Sequence, residues 1–308
     1  MQSKKKIIIA VLSVFVVIIS SVFTYGPAKL WDTLIHGTDL EAYSIGAVQS
    51  SAAAKQDLSV HFIDVDQGDS TLIHFDQYNI LIDCAKKAYA SNVINYLDSF
   101  GADHLDMVIA THPDADHIGG FSDLFYQIKP DVYLLPQLPD SIKRTQTELT
   151  ILSTLKTLNI KREYAVNGKA YQFGDMKLTT YVSQKEHEDK NDYSIVTKVE
   201  YKNASYLFMG DAGKAVEKEL MNNGVDLHAD VLKAGHHGSS KSTSEKFIKT
   251  VQPKYCVFSC GAGNDYGHPH SEVLQLMNQY GIIYYRTDQN ANVVIGTDGS
   301  RFFTATEK

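Results

Sequence analysis

The chain has 308 residues, of which 21% are charged and 44% hydrophobic. That balance is ordinary for a globular protein and ample for a buried core without covalent staples. The net charge of -7 argues against broad nucleic-acid binding through a basic surface, although bound divalent ions can reverse the field locally.

The N-terminus carries the first strong signal. Lys4, Lys5 and Lys6 precede an apolar run over residues 7–23 that only small serines interrupt. Such a run is short for a membrane span and long for a signal h-region. The lysines are expected to stay on the cytoplasmic side, which sends everything beyond residue 23 outside. The nearest small-residue cleavage pattern, Ala52-Ala53-Ala54, lies too far downstream for a peptidase reading this segment. An uncleaved single-pass anchor is therefore preferred over a cleaved, secreted form. Residues 1–6 then form a cytoplasmic basic tip, 7–23 the anchor or signal, 24–57 a linker ending in small residues, and 58–308 the globular domain.

Within that domain, apolar runs bounded by turn residues predict strands at 58–65, 70–75 and 78–83, the last two joined by a turn at Asp76-Gln77. Val93, Ile94 and Leu97 have helical spacing, which predicts a helix over 88–100 that stops at Gly101. A short buried strand at 107–110 ends directly on Thr111-His112. A strand at 132–135 and a helix at 144–158 follow, then strands near 177–182, 194–201 and 204–209 and a helix at 212–223. Strands at 230–233 and 254–259 alternate with helices at 243–250 and 271–280, and strands at 282–286, 292–296 and 301–304 close the chain. Two strand-rich halves with interspersed helices predict an α/β architecture, two facing sheets with helices on the outer faces: an αββα sandwich. The three cysteines, Cys84, Cys256 and Cys260, are no disulfide framework. Cys256 and Cys260 on one strand would stand roughly 13 Å apart, at a rise of about 3.3 Å per residue, so buried free thiols are expected.

The chemistry concentrates in Thr111-His112-Pro113-Asp114-Ala115-Asp116-His117-Ile118-Gly119-Gly120. Four potential ligands follow an apolar strand within six residues, and they are the donor types that zinc, manganese and iron accept. Gly119-Gly120 permits close backbone approach. Three more segments place polar groups just past an apolar strand: Gly210-Asp211, His236-His237-Gly238-Ser239, and Asn264 with Tyr266-Gly267-His268-Pro269-His270. Functional loops gathered at one end of a sheet scaffold are a common way to build a site.

The run His112-x-Asp114-x-Asp116-His117 resembles the metallo-β-lactamase superfamily signature, with Asp114 where that signature has a second histidine. The aspartate variant is similar to the hydrolase domain of the competence protein ComEC and its stand-alone relatives. So are Asp64-Val-Asp-Gln-Gly-Asp69, Ile80-Leu-Ile-Asp83, Asn191-Asp-Tyr-Ser194, Phe208-Met-Gly-Asp211, Lys233-Ala-Gly-His-His-Gly-Ser239 and Asn264-Asp-Tyr-Gly-His-Pro269, in family order over roughly 58–296. The resemblance implies the metallo-β-lactamase fold and two divalent metal ions, Zn or Mn. His112 and Asp114 would hold the first. Asp116 and His117 would hold the second, joined by His236 in preference to His237, with Asp211 bridging. Asp69 and Asp83 would orient ligands from below. Ser194, Ser239, Asn264 and His268 would line the substrate pocket. Asp66 stands where the family has glycine, and the downstream histidine that many members place on the first metal is missing. His187 nearby reads as an exposed polar residue.

The activity implied is phosphodiester hydrolysis of DNA outside the cell by metal-activated water. Asp116, Asp211, His237 and His268 would be the catalytic groups, with DNA-uptake machinery as a candidate partner. A phosphorylcholine-esterase-like enzyme of small cell-surface phosphoesters is the alternative, and the net charge and Asp66 lean its way. A non-catalytic surface binding module is the third reading.

Overall fold

A computed structural model of the protein describes residues 47–308. The basic tip, the apolar run over 7–23 and the first part of the expected linker lie outside the described residues. Among the described residues no helix is long and apolar enough to cross a membrane.

Strands β1 (Leu58–Phe62), β2 (Thr71–Phe75) and β3 (Tyr78–Ile82) form an antiparallel meander. Helix α1 (Ala90–Phe100) ends at Gly101, whose left-handed φ of 87° suits a residue without Cβ. Then come β4 (Met107–Ile109), the short helices α2 (Ala115–Ile118) and α3 (Phe121–Phe125), β5 (Val132–Leu135), α4 (Gln146–Leu158) and β6 (Lys161–Tyr164). The second half runs β7 (Lys169–Phe173), β8 (Met176–Tyr181), β9 (Val196–Tyr201), β10 (Ala204–Phe208), α5 (Lys214–Asn222), β11 (Val231–Lys233), α6 (Glu245–Val251), β12 (Tyr255–Phe258), α7 (Ser271–Gln279) and β13 (Ile283–Arg286). Helix α8 (Thr287–Asn290) leads back to β14 (Val293–Thr297) and β15 (Phe302–Thr306).

Two sheets result. One has eight strands in the order β15-β14-β1-β2-β3-β4-β5-β6, the other seven in the order β13-β12-β11-β10-β9-β8-β7. The central apolar layer takes Val60, Phe62, Ile73 and Ile109 from the first sheet and Leu178, Val199, Tyr206 and Val257 from the second. An outer layer packs Leu72, Leu81 and Val108 against Val93, Leu97, Phe121 and Leu155 of the helices. A third packs Leu207, Leu232 and Cys256 against Val216, Phe247 and Val273. Alternate residues of each strand thus face different layers, and both faces of both sheets are covered, giving the αββα sandwich. The three cysteines are free and buried, as their spacing predicted.

The linker boundary moves upstream. Val48, Ala53 and Ala54 are buried in the layer beneath α1. The small side chains that suggest a linker instead let the backbone lie flat on the sheet. A Cβ at Gly296 would stand 1.9 Å from the Ala53 carbonyl oxygen. Gly296→Ala should therefore lower stability by about 1–3 kcal/mol, the usual cost of overpacking. Denaturant unfolding checks this, and an unchanged midpoint would mean that this segment is not seated on β14.

Candidate metal centre

The expected metal ligands all follow strands that end at one edge of the sandwich. His112 and Asp114 come directly off β4, and Asp116 and His117 lie on α2. Asp211 follows β10, His236 and His237 follow β11, and His268 lies beyond β12. Strand β4 runs parallel to β3 and β5, and β10, β11 and β12 are mutually parallel, so their C-terminal loops collect together.

The loops meet around Asp211. Its Oδ1 is 3.2 Å from His117 Nε2, and its Oδ2 is 3.5 Å from His237 Nε2, 3.8 Å from His236 Nε2 and 3.9 Å from His112 Nε2. His237 Nε2 also lies 3.6 Å from Asp116 Oδ2 and 3.3 Å from His117 Nε2. Asp114 Oδ2 is 3.8 Å from His112 Nε2, while its other oxygen is ion-paired with Lys190. His112 Nε2 and Asp211 Oδ1 are buried without a hydrogen-bond partner. Buried polar atoms left in that state are rare, and here they point at a common centre. Imidazole and carboxylate donors converging at these distances fit a divalent cation.

The layer beneath fixes the rings. Asp83 Oδ2 accepts from His117 Nδ1 at 2.7 Å and from the Thr111 hydroxyl at 2.6 Å, and Asp83 Oδ1 accepts from the Thr111 N–H at 2.8 Å. His237 Nδ1 donates to the Ser259 carbonyl at 2.9 Å, with Asp69 Oδ1 at 3.3 Å. In both rings Nδ1 is committed below and Nε2 is presented to the centre, which sets the tautomer a cation needs. Gly120 is where the loop needs its missing side chain: a Cβ there would stand 2.3 Å from the Cys84 carbonyl oxygen.

Burial holds the His112 pKa down to about 3, so its ring is neutral. Burial also opposes charge on His117 and His237, but carboxylates outweigh it. Asp211 and Asp83 keep His117 well above the ordinary histidine value, and Asp211, Asp69 and Asp116 lift His237 to about 10. Burial works against the Asp211 carboxylate too, yet His237, His117 and His112 hold its pKa well below the ordinary range. Without a cation, these protons take its place. A bound ion must displace them, so affinity should rise with pH through neutrality and fall on acidification. Calorimetry in buffers of different ionisation heat should show net proton release, and a binding heat independent of buffer would contradict this.

The structure separates residues that the sequence leaves together. His237, not His236, is central. Residues 235–238 form a tight turn in which both histidines take left-handed φ, 48° and 54°. Such strain in two consecutive non-glycine residues is held only where surroundings over-determine it. It turns the His237 ring inward, 2% exposed, and leaves His236 at 21% on the rim beside His268. Ser194 accepts from the Asp211 N–H at 3.1 Å, and Asn264 is spent on its own loop, donating to Gly261 and His268 carbonyls and accepting from the His268 N–H. Ser239 is buried, its hydroxyl accepting from the Lys241 N–H. Of the four expected pocket residues only His268 offers a free ring atom, Nδ1. His187 is not an exposed residue: it bonds Ser183 at 2.6 Å and faces Asp192 at 3.6 Å. Two supports were given no role by the sequence, Lys233, which only opens a quoted motif, and Lys190. Lys233 reaches Asp69 Oδ2 at 2.7 Å.

Residues 72–138, which include the His112–His117 cluster, match the metallo-beta-lactamase superfamily domain. The chain is 33% identical over 255 residues to ComE operon protein 3 of Bacillus subtilis, covering 76% of this chain and 32% of that protein.

The chain carries a metallo-β-lactamase superfamily domain and is homologous to ComEC-like competence proteins.

A second relative, the competence protein ComA of Neisseria gonorrhoeae, is 27% identical over 248 residues, 80% of this chain and 33% of that protein. The chain thus spans about a third of the length of these curated relatives. Among solved structures, the metallo-beta-lactamase fold protein YhfI of Bacillus subtilis superposes with a TM-score of 0.52 at 10% identity, over 81% of this chain and all of that one. That agreement is one of fold. With its buried His/Asp centre, the metallo-β-lactamase domain is that of a metallo-hydrolase.

Proposed function

We propose that this domain hydrolyses phosphodiester bonds of DNA, with two divalent ions, Zn or Mn, held by His112, Asp114, Asp116, His117, Asp211 and His237. The observation that carries the reading is Asp211, whose two oxygens face imidazoles from both halves of the ligand set. The homology to competence proteins supplies the substrate class. On this reading the apolar run over 7–23 tethers the chain, and the domain works outside the membrane beside DNA-uptake machinery.

Bound ions of this kind supply positive charge to a phosphate and make a water acidic enough to act as nucleophile near neutral pH. The protein's own contribution is positioning. Asp83 and Asp69 lock the ligand rings, and Ser194 holds the Asp211 backbone. His268 is kept neutral: burial and the neighbouring His237, His236 and His270 lower its pKa to about 4. Its free Nδ1 is therefore suited to a hydrogen bond with a phosphate oxygen or leaving group, not to a full positive charge.

The test uses the compact unit Ile45–Lys308, which keeps Val48, Ala53 and Ala54 in the core. Single- and double-stranded DNA are offered with Mn²⁺ or Zn²⁺. Cutting that needs the ion and stops with chelator supports the reading. A folded, ion-loaded protein that leaves DNA intact would overturn it in favour of a small cell-surface phosphoester, which the net charge of -7 also suits.

A further inference from the structure

The two halves of the centre are not equivalent. One half offers His117 Nε2, His237 Nε2, Asp116 and Asp211, all within 3.6 Å of a neighbouring donor. The other offers His112, Asp114 and a share of Asp211, at 3.8 and 3.9 Å. His187 supplies no donor there, because it is engaged by Ser183 and Asp192. In its place the same segment delivers a cation: the Lys190 ammonium is ion-paired with Asp114 Oδ1.

The backbone that carries Lys190 is not a loose surface loop. Lys190 opens the turn Lys190–Tyr193, which the Asp189 carboxylate caps by accepting from the Asn191 N–H. The turn is tied to the centre at three points. Asp192 accepts from the Gly213 N–H at 2.9 Å, Ser194 accepts from the Asp211 N–H, and the Ile195 N–H donates to the Thr111 carbonyl at 2.9 Å. The backbone that carries Lys190 is therefore fixed relative to Asp211 and Thr111.

From this we infer that Lys190 is a built-in competitor for the first metal position, so that the protein holds one divalent ion tightly, at Asp116, His117, His237 and Asp211, and a second only loosely at His112 and Asp114. The inference rests on the metal-centre reading above and concerns the stoichiometry of that centre. The ammonium neutralises the carboxylate that distinguishes the first position, and it repels a second cation at close range. Filling the first position requires Lys190 to swing away, which its 40% exposed side chain can do when a substrate phosphate offers it another anion.

The experiment counts ions without substrate. The full chain, its Lys190→Met variant and its Lys190→Arg variant are stripped with chelator, reloaded with Mn²⁺ or Zn²⁺, titrated by calorimetry and analysed for bound metal after gel filtration. The expected result is one retained equivalent in the natural protein and in Lys190→Arg, and two in Lys190→Met. The weaker binding step should tighten by about tenfold or more in Lys190→Met while the tight one is unchanged. Two equally tight equivalents in the natural protein, or a Lys190→Met protein of native circular dichroism that still retains one, would overturn the inference and leave the metal centre standing. No retained ion in any of the three would sink the metal-centre reading itself, and the inference with it.

Discussion

Replacing Asp211 with Ala should strip the protein of its tightly held metal and lower ester hydrolysis by roughly a thousandfold or more, about 4 kcal/mol of lost transition-state stabilisation. The expectation follows from position. Among the described residues, Asp211 is the one carboxylate within 4 Å of ring nitrogens of His112, His117, His236 and His237 together. The same substitution should damage the metal-free protein. His117 and His237 are fully buried, and Asp211 leads the carboxylates that keep them charged. Removing one partner of a buried charge pair costs about 3–5 kcal/mol. Asp211→Asn keeps the volume and tests function if Asp211→Ala fails to fold. Metal analysis, hydrolysis and thermal unfolding are measured on both variants. Native metal content with native activity in a folded Asp211→Asn protein would remove Asp211 from the centre, and the mechanism with it.

Much of this arrangement was legible in the chain. Strands with one or two buried faces announce themselves by apolar runs, and the motifs that carry the ligands sit just past such runs. The order of the motifs therefore gave both the sandwich and the set of residues that meet at its edge. Each miss has a physical cause. Strands β6 and β7 stand at the ends of their sheets, and Lys161-Arg162-Glu163-Tyr164 carries no apolar alternation because an edge strand facing solvent needs none. Helices α2, α3 and α8 span only four or five residues, too few for a helical period to show. The choice between His236 and His237 turned on backbone conformation. Proximity to the end of β11 favours the first, but two successive left-handed residues rotate the second inward, and neighbour contacts rather than residue type impose that geometry. Lys190 was invisible for a related reason. A lysine among Glu186, Glu188 and Asp189 looks solvated until the tertiary contacts of its turn bring it to Asp114. The small residues before Leu58 read as a linker because Ala carries no directional signal. Only Gly296 opposite them reveals the packing.

Lys233→Met should be among the most destabilising changes in the domain although it touches no substrate. Lys233 ends β11 and is 2% exposed, its ammonium 2.7 Å from Asp69 Oδ2 and 2.9 Å from the Ala234 carbonyl. Burial alone would push the Asp69 pKa up, but Lys233 first, then His237 and His117, hold it far below the ordinary range. Without the ammonium, Asp69 keeps only imidazole partners. The expected loss is about 3–5 kcal/mol, or roughly 6–20 °C in Tm for a domain of this size. Asp69 also steadies His237 through Nδ1, so metal affinity should fall by about 10–100-fold. The sign with pH is fixed by the depressed pKa. A carboxylate held below its unfolded value contributes stability above about pH 4, and that contribution is lost as pH falls further. The deficit of Lys233→Met against the natural protein should therefore be full at neutral pH and shrink in acid. Adding Asp69→Asn removes the stranded charge and should recover most of the loss, measured by urea unfolding in chelator at pH 7. Equal deficits in the single and double variants would show that the methionine fails by packing, and that the Lys233–Asp69 pair does not hold the floor of the metal centre.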